Sequence, residues 1–399
     1  MINTRSRRSI FLAIVSLPLL ATAPALADQC QIKIGTAGPL TGGSAAWGLA
    51  VKAGAEFVAA LANEAGGVQM GDQKCTVKVV SFDSQYTAAG GAAASNYFAS
   101  EDVHVVIGPV GAPEVTGFKP VAKRNSQLSF NTTYAKDAIG PDYPLVFHQL
   151  QAPPTWGPIL IKRALDRFKL KSVVLIGPND QGGTDATRAL AKMYADAGAT
   201  TQEEYYQRGT TNFAAIATRI MNANPDGIEV STVPPGDQAV LLKQLIEAGY
   251  GGVFGSLGGG GEKPILDGSN QGADLKSLKG AYWLSVVAIE NPNMPQLRSD
   301  FERVMKASVP INGNFYTTVI STEQVFRAMS AAGTDKDAEK VADALRKLTP
   351  ESRYFGKGGW RGKAMYGINQ ELAFPVGFGV YESGTRVGVE SVAIPSEAP

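Results

Sequence analysis

Histidine and cysteine are nearly missing from this chain of 399 residues, which holds two of each. His104 and His148 sit in or beside apolar alternating runs, with no cysteine, histidine or acidic cluster at ligand spacing, so no metal centre is announced. Both read as structural residues. No HExxH, CxxC or GxSxG occurs. The close acidic pairs, Asp300 with Glu302 and Glu203 with Glu204, fall in polar helix or strand-edge settings and read as solvated faces. Charge of one sign is also lacking. There are 37 basic and 36 acidic side chains, net +1, which excludes a basic face for nucleic acid and an acidic tail. Beyond the N-terminus no stretch approaches 18 uninterrupted apolar residues, so no membrane-spanning helix is expected there.

The first thirty residues are a different matter. Arg5, Arg7 and Arg8 precede the apolar run IFLAIVSLPLLATA and the small-residue tripeptide Ala25-Leu26-Ala27, the pattern of an export signal cleaved near Ala27. SRRSIF comes close to a twin-arginine signal, but Ile10 stands where phenylalanine is usual, so the export route stays open. Losing three arginines and no acids leaves 34 basic against 36 acidic side chains. In an exported chain the even pair Cys30 and Cys75 invites a disulfide. Each precedes an apolar alternating run; if those runs are neighbouring parallel strands, their starts lie side by side. A bridge over about 45 residues would contribute roughly 3 to 4 kcal/mol. The alternative, lipidation of Cys30, is opposed by Asp28 and Gln29, which stand where small residues are needed.

Strand and helix patterns alternate through the rest, in a chain that is 44% hydrophobic and long enough for two domains. QIKIGTA, CTVKVVSFD, VHVVIGP and SQLSFNTT read as strands separated by helices. In the first of these helices Val51, Phe57, Val58, Leu61 and Ala65 share one face. A second series with the same grammar follows: SVVLIGPND, TQEEYYQ, DGIEVSTV and GGVFGSL, again with helices between. The pattern predicts two α/β lobes, each a parallel sheet covered on both faces, with the first boundary near His148 to Pro154. Another strand over 280–287, helices over 295–307 and 316–332, a charged helix DKDAEKVADALRKL and a glycine-rich β-like tail from Phe355 to Ile394 come last. Helices in the style of the first lobe thus return after the second, so the chain crosses between lobes more than once.

The opening turn, Gly35 to Gly43, lacks the Gly-Lys-Ser/Thr ending of a phosphate loop and does not give GxGxxG. It reads instead as a tight loop at the carboxyl end of a strand, where open parallel sheets bind ligands. Trp47 at its far end either packs against the helix start or faces a ligand. IGPVGAPEV, SFNTTYAK, IGPNDQGG, STVPPGDQ and FGSLGGGG also follow apolar strands and combine glycine, hydroxyls and amides. Any one is compatible with a simple turn. On facing lobes they would edge a cleft suited to a small polar ligand.

IKIGTAGPLTGGSAAWGLAVKAGAEFVAALANEAGGV, VVIGPVGAPEV, SVVLIGPND, DGIEVSTVPPGDQAVLLKQLIEAG and YGINQELAFPVGFGVYESG resemble, in this order and over essentially the whole mature chain, the leucine/isoleucine/valine-binding family of ABC transporter substrate-binding proteins. The resemblance implies a type I periplasmic binding protein: two doubly wound lobes, a three-strand hinge, no cofactor, a monomer in the periplasm, and docking to an inner-membrane permease. It implies a first lobe of 28–149 plus 284–350 and a second of 150–283 plus 351–399. At its ligand site it places Trp47 and Phe315 as aromatic walls, and Gly111, Ala112, Asn131, Thr132, Thr133, Tyr134, Pro234 and Leu257 around the ligand.

The site departs from the family. Ala112 stands where amino-acid binders carry a serine for the carboxylate, and Tyr134 where a threonine is usual. Leu257 replaces the acid that pairs with the ammonium, and Pro234 replaces an aromatic; Thr132 falls where a backbone carbonyl faces the ammonium. A buried ammonium without a carboxylate partner suffers a desolvation cost of several kcal/mol. The expected ligand is therefore a small carboxylate or amide lacking a free ammonium, with Asp180 or Asp237 as substitute acids if the loops shift by a residue or two. The expected role is a solute receptor, not an enzyme. A sensory module read by a separate receptor is the alternative.

Overall fold

The computed structural model describes residues 30–394 and the two N-terminal residues. The export signal expected at 1–27 therefore lies, but for its first two residues, outside the described residues. The chain first lays down β1 (Gln31–Gly38), α1 (Ala45–Glu64), β2 (Val68–Met70), β3 (Gln73–Asp83), α2 (Ala88–Ser100), β4 (Val105–Val110), α3 (Ala112–Arg124), β5 (Leu128–Thr132) and β6 (Val146–His148). Runs such as VVIGPV are buried at every position, as strands covered on both faces must be. Some helix starts are fixed by short polar side chains, for example that of α2, where the Thr87 hydroxyl accepts from the Gly90 amide. Helix α1 is long and apolar enough to pass for a membrane span, yet Val51, Ala55, Phe57 and Val58 bury it in the first core. It ends at Glu64, so Ala65, expected on its buried face, is an exposed cap.

A second lobe follows: α4 (Pro153–Phe168), β7 (Ser172–Pro178), α5 (Gln181–Asp196), β8 (Thr200–Tyr206), α6 (Ala214–Ala223), β9 (Gly227–Ser231), α7 (Pro235–Glu247), β10 (Val253–Gly258), α8 (Lys263–Asn270) and β11 (Gly280–Ser285). The chain then returns to the first lobe with α9 (Met294–Met305), α10 (Gly313–Ala332) and α11 (Ala338–Lys347), whose Leu297, Phe301, Phe315, Val319, Val341 and Leu345 complete the first core. It continues through β12 (Glu351–Ser352), β13 (Gly356–Lys357), β14 (Gly359–Arg361) and β15 (Glu371–Ala373), and ends with β16 (Val376–Glu382) and β17 (Thr385–Val392).

Two doubly wound sheets result. The first has eight strands in the order β14-β15-β6-β5-β4-β1-β3-β2, the second seven in the order β17-β16-β11-β10-β9-β7-β8. The pairs around β1 and β7 are parallel; β2, β14, β16 and β17 add antiparallel edges. The expected lobe limits move at two places. Strand β11 runs through Ser285 in the second sheet, beyond the expected limit at 283, and strands β14 and β15 belong to the first sheet, so the last crossover falls at 374–375 rather than at 350. Phe374 is itself buried in the first core, which holds this stretch of tail in the first lobe.

Cys30 and Cys75 form a disulfide, with Cα atoms 4.5 Å apart. Parallel register pairs Gln31 with Thr76, which sets the two cysteines abreast at the amino ends of β1 and β3. Three crossovers join the lobes, and buried hydrogen bonds tie them together. The Glu371 carboxylate accepts from His148 Nδ1 at 2.8 Å, the Ala152 amide at 3.1 Å and the Thr155 hydroxyl at 2.9 Å. Gln151 donates to the Phe374 carbonyl at 2.8 Å, and the Ala288 amide to that of Pro375 at 2.9 Å. Both expected structural histidines lie where they were placed: His148 is fully buried in the hinge, while His104 pairs with Asp102 near the surface.

Candidate ligand cleft

The carboxyl ends of the parallel strands of both sheets face one interlobe cavity of about 1010 Å³ of empty space including its mouth. Its walls lie at the two places where strand order reverses, the usual location of ligands in open α/β sheets. From the first lobe, Trp47 follows β1, Tyr86 follows β3, Gly111 and Ala112 follow β4, Thr132 ends β5, and Thr133 and Tyr134 follow it. From the second, Gly182 follows β7, Thr232 follows β9, Gly259 to Glu262 follow β10, and Trp283 and Ser285 lie on β11. Asn314 and Tyr316, at the start of α10, close the side.

Six of the ten ligand residues expected from the sequence thus reach the wall: Trp47, Gly111, Ala112, Thr132, Thr133 and Tyr134. Four do not. Asn131 is buried behind it and donates to the Ala138 carbonyl at 2.7 Å. Leu257 points into the second lobe's core, and Phe315 into the first, against Phe57 and Phe301. Pro234 is buried at the start of α7. The offsets are local: one residue along the helix from Phe315, Tyr316 turns by about 100° and meets the cavity. Beyond Leu257 the glycines from Gly258 to Gly261 line it instead. Trp47, in the first turn of α1, lines the cavity, but no residue of the opening glycine turn, 35–43, does. Asp83 holds that turn by accepting from the Leu40 amide and the Thr41 hydroxyl. Against the burial that would raise it, these bonds keep the Asp83 carboxyl below its ordinary range.

Sequence reasoning missed Tyr86, Thr232, Trp283, Ser285, Asn314 and Tyr316. Tyr86 carried the available signal, an aromatic in the polar SQY turn directly after an apolar strand. Its ring lies 5.9 Å from that of Trp47. Gly111, at φ 95°, has no Cβ to collide with it; one built there would stand 2.3 Å from the Tyr86 ring. Gln85, Tyr86 and Thr232 all have positive φ without being glycine. Such strain gathers at functional sites.

Each half of the cavity rests on a buried carboxylate. Glu114 accepts from the Ser84 hydroxyl and from the amides of Tyr86 and Val110, at 2.5, 2.8 and 3.0 Å. Glu229 accepts from the amides of Leu257 and Gly258 and from the Tyr194 hydroxyl, at 2.6, 3.2 and 2.9 Å. Burial pushes Glu114 up to about 8 and Glu229 up to about 7.

The acceptors expected to meet an ammonium already take hydrogen bonds within the protein. The Thr132 carbonyl accepts from the Gly111 amide at 2.7 Å, and that of Thr133 from His148 Nε2 at 2.8 Å. Glu262, a carboxylate on the wall, is held by Arg386 at 2.6 Å and by the Tyr381 hydroxyl at 2.9 Å. The substitute acids are committed too: Asp180 binds Arg208, and Asp237 binds Tyr206 and the Gly209 amide. Arg208 crosses between lobes, its guanidinium 4.9 Å from the centre of the Tyr86 ring and 5.6 Å from that of Trp47. Among the described residues no group of three His, Cys, Asp or Glu is placed to hold a metal ion.

A family model described as periplasmic binding protein matches residues 31–372. The leucine-, isoleucine-, valine-, threonine- and alanine-binding protein of Pseudomonas aeruginosa is 26% identical over 325 residues, 80% of this chain and 83% of the relative. A leucine binding protein from Thermotoga maritima superposes with a TM-score of 0.74 at 19% identity, covering 91% of this chain and 98% of its own. A solute binding protein of an ABC transporter from R. palustris, solved with benzoate, gives 0.74 at 17% identity, covering 92% and 98%.

Proposed function

From the premise that the chain belongs to the leucine/isoleucine/valine-binding type of periplasmic binding proteins, we propose that it is the exported receptor of an ABC importer and that its ligand is a small aromatic carboxylate without a free ammonium. The observation that carries the ligand class is that Glu262, the carboxylate on the wall, is already paired with Arg386 and the Tyr381 hydroxyl. An ammonium entering this cavity would give up its water and find no free carboxylate, a cost of several kcal/mol. Five aromatic rings, those of Trp47, Tyr86, Tyr134, Trp283 and Tyr316, stand on the wall and suit a flat apolar body. Benzoate in the R. palustris neighbour shows that this fold accepts such a ligand. Because both lobes contribute walls, a bound ligand favours the closed arrangement by its differential affinity, and the closed form is what a membrane permease would recognise.

A thermal-shift screen of residues 28–399 tests this. At 100 times its dissociation constant a ligand adds about 2.7 kcal/mol of stability. Benzoate-type carboxylates are expected to raise the melting temperature, and leucine, isoleucine and valine to leave it unchanged. Stabilisation by the amino acids alone would keep the receptor role and overturn the ligand class.

A further inference from the structure

Near the second-lobe wall Arg208 Nη2, Thr232 Oγ1 and Trp283 Nε1 are buried and have no hydrogen-bond partner. Two of them belong to one bonded unit. Arg208 donates from Nε to Asp180 at 2.7 Å and from Nη1 to the Thr232 carbonyl at 3.0 Å, which fixes the plane of the guanidinium and leaves Nη2 as its free edge. Thr232 lines the cavity; Arg208 lies just behind the wall, its guanidinium over two rings that line it. A buried donor without an acceptor is costly and calls for a partner from outside the chain. Thr232 is also a β-branched residue at φ 52°, a strained position held by its amide on the Gly258 carbonyl.

Resting on the reading of the ligand as an aromatic carboxylate, we infer that Arg208 Nη2 and the Thr232 hydroxyl receive the ligand's carboxylate. One N–H and one O–H donate to its oxygens while the rings of Trp47 and Tyr86 hold the body. Asp180 already balances one charge of the guanidinium, so Arg208 is held in place before the ligand arrives and loses no rotamer freedom on binding. The geometry assigns the charge preference of the cleft to the second lobe, and the residues that carry it lie outside the positions the family resemblance marks.

Titration calorimetry with benzoate, 4-hydroxybenzoate and the neutral isostere benzamide tests this on residues 28–399 and on the variants R208Q and T232V. R208Q is expected to weaken the tighter-binding carboxylate by roughly 10- to 100-fold, the range for a lost charge-assisted bond, and benzamide by less than about 3-fold. T232V keeps the shape and the strained backbone, and is expected to weaken the carboxylate by about 5- to 10-fold. Equal losses for carboxylate and benzamide would make Arg208 a structural residue and overturn the assignment, as would unchanged carboxylate affinity in a folded R208Q or T232V. Failure of the unsubstituted protein to bind either carboxylate would instead overturn the ligand class on which the assignment rests.

Discussion

At the level of single residues, neighbours in the chain divide between core and cleft. Phe315 is fully buried against Phe57 and Phe301, while Tyr316 faces the cavity. Phe315→Ala is expected to cost about 3–5 kcal/mol of unfolding free energy, measured by chemical denaturation. Tyr316→Ala should leave stability within about 1 kcal/mol and weaken ligand binding by about 10-fold. This pair also shows why the site was only partly legible. The sequence marks the loop or helix start that approaches the cleft, but the side chain that faces it depends on a rotation of about 100° per residue, which a match of motifs does not resolve. Trp47 was readable because it stands alone beyond a glycine turn. Thr232 was not, since its place on the cavity wall goes with a strained backbone that no residue type announces.

The buried carboxylates make the pH response predictable. Glu229 is raised to about 7 and Glu114 to about 8 by burial, whereas an unfolded glutamate ionises near about 4.3. Between those values the folded chain holds protons that the unfolded chain has released, so stability falls as pH rises through this window and levels above about 8. Calorimetry at pH 5 and pH 8 should show the higher melting temperature at pH 5. Glu229→Gln, which mimics the protonated acid, should make the decline shallower.

At the level of elements, strands β1, β3 to β5 and β7 to β11 and most helices were readable from alternation and 3.6-residue periodicity, because they are longer runs punctuated by glycine or proline, whereas the 16-residue α4, the short α8 and the three-residue β2 and β6 were not picked out. The tail resisted. Strands β14 and β15 are three residues each and join a different sheet from β16 and β17, and such short segments carry no period that tells one sheet from another. The disulfide was readable from the two strand starts, and its position has a consequence. It clamps the amino ends of β1 and β3, whereas the cleft is built at their carboxyl ends. Replacing both cysteines by serine should therefore lower stability by about 3–4 kcal/mol and leave the ligand dissociation constant unchanged.

Across the whole molecule, ligand binding and lobe closure share side chains. Trp47 belongs to one lobe and Trp283 to the other, both on the cavity wall, and Arg208 of the second lobe lies over Trp47 of the first. Closing on a ligand changes the surroundings of both indoles, so intrinsic tryptophan fluorescence is expected to shift on binding. Trp47→Phe should remove the Trp47 share of that signal and leave that of Trp283, while keeping a measurable affinity by calorimetry. The three crossovers bear on the timing of folding. Strands β15 and β16 are separated by two residues, yet each enters a different sheet, one beside β6 and the other beside β11. Neither sheet is complete until the last stretch of chain, from Gly359 to Val392, has been made. During synthesis both halves must wait for the same closing segment. A chain halted at Pro350 would leave two unfinished sheets with open edges rather than one finished lobe.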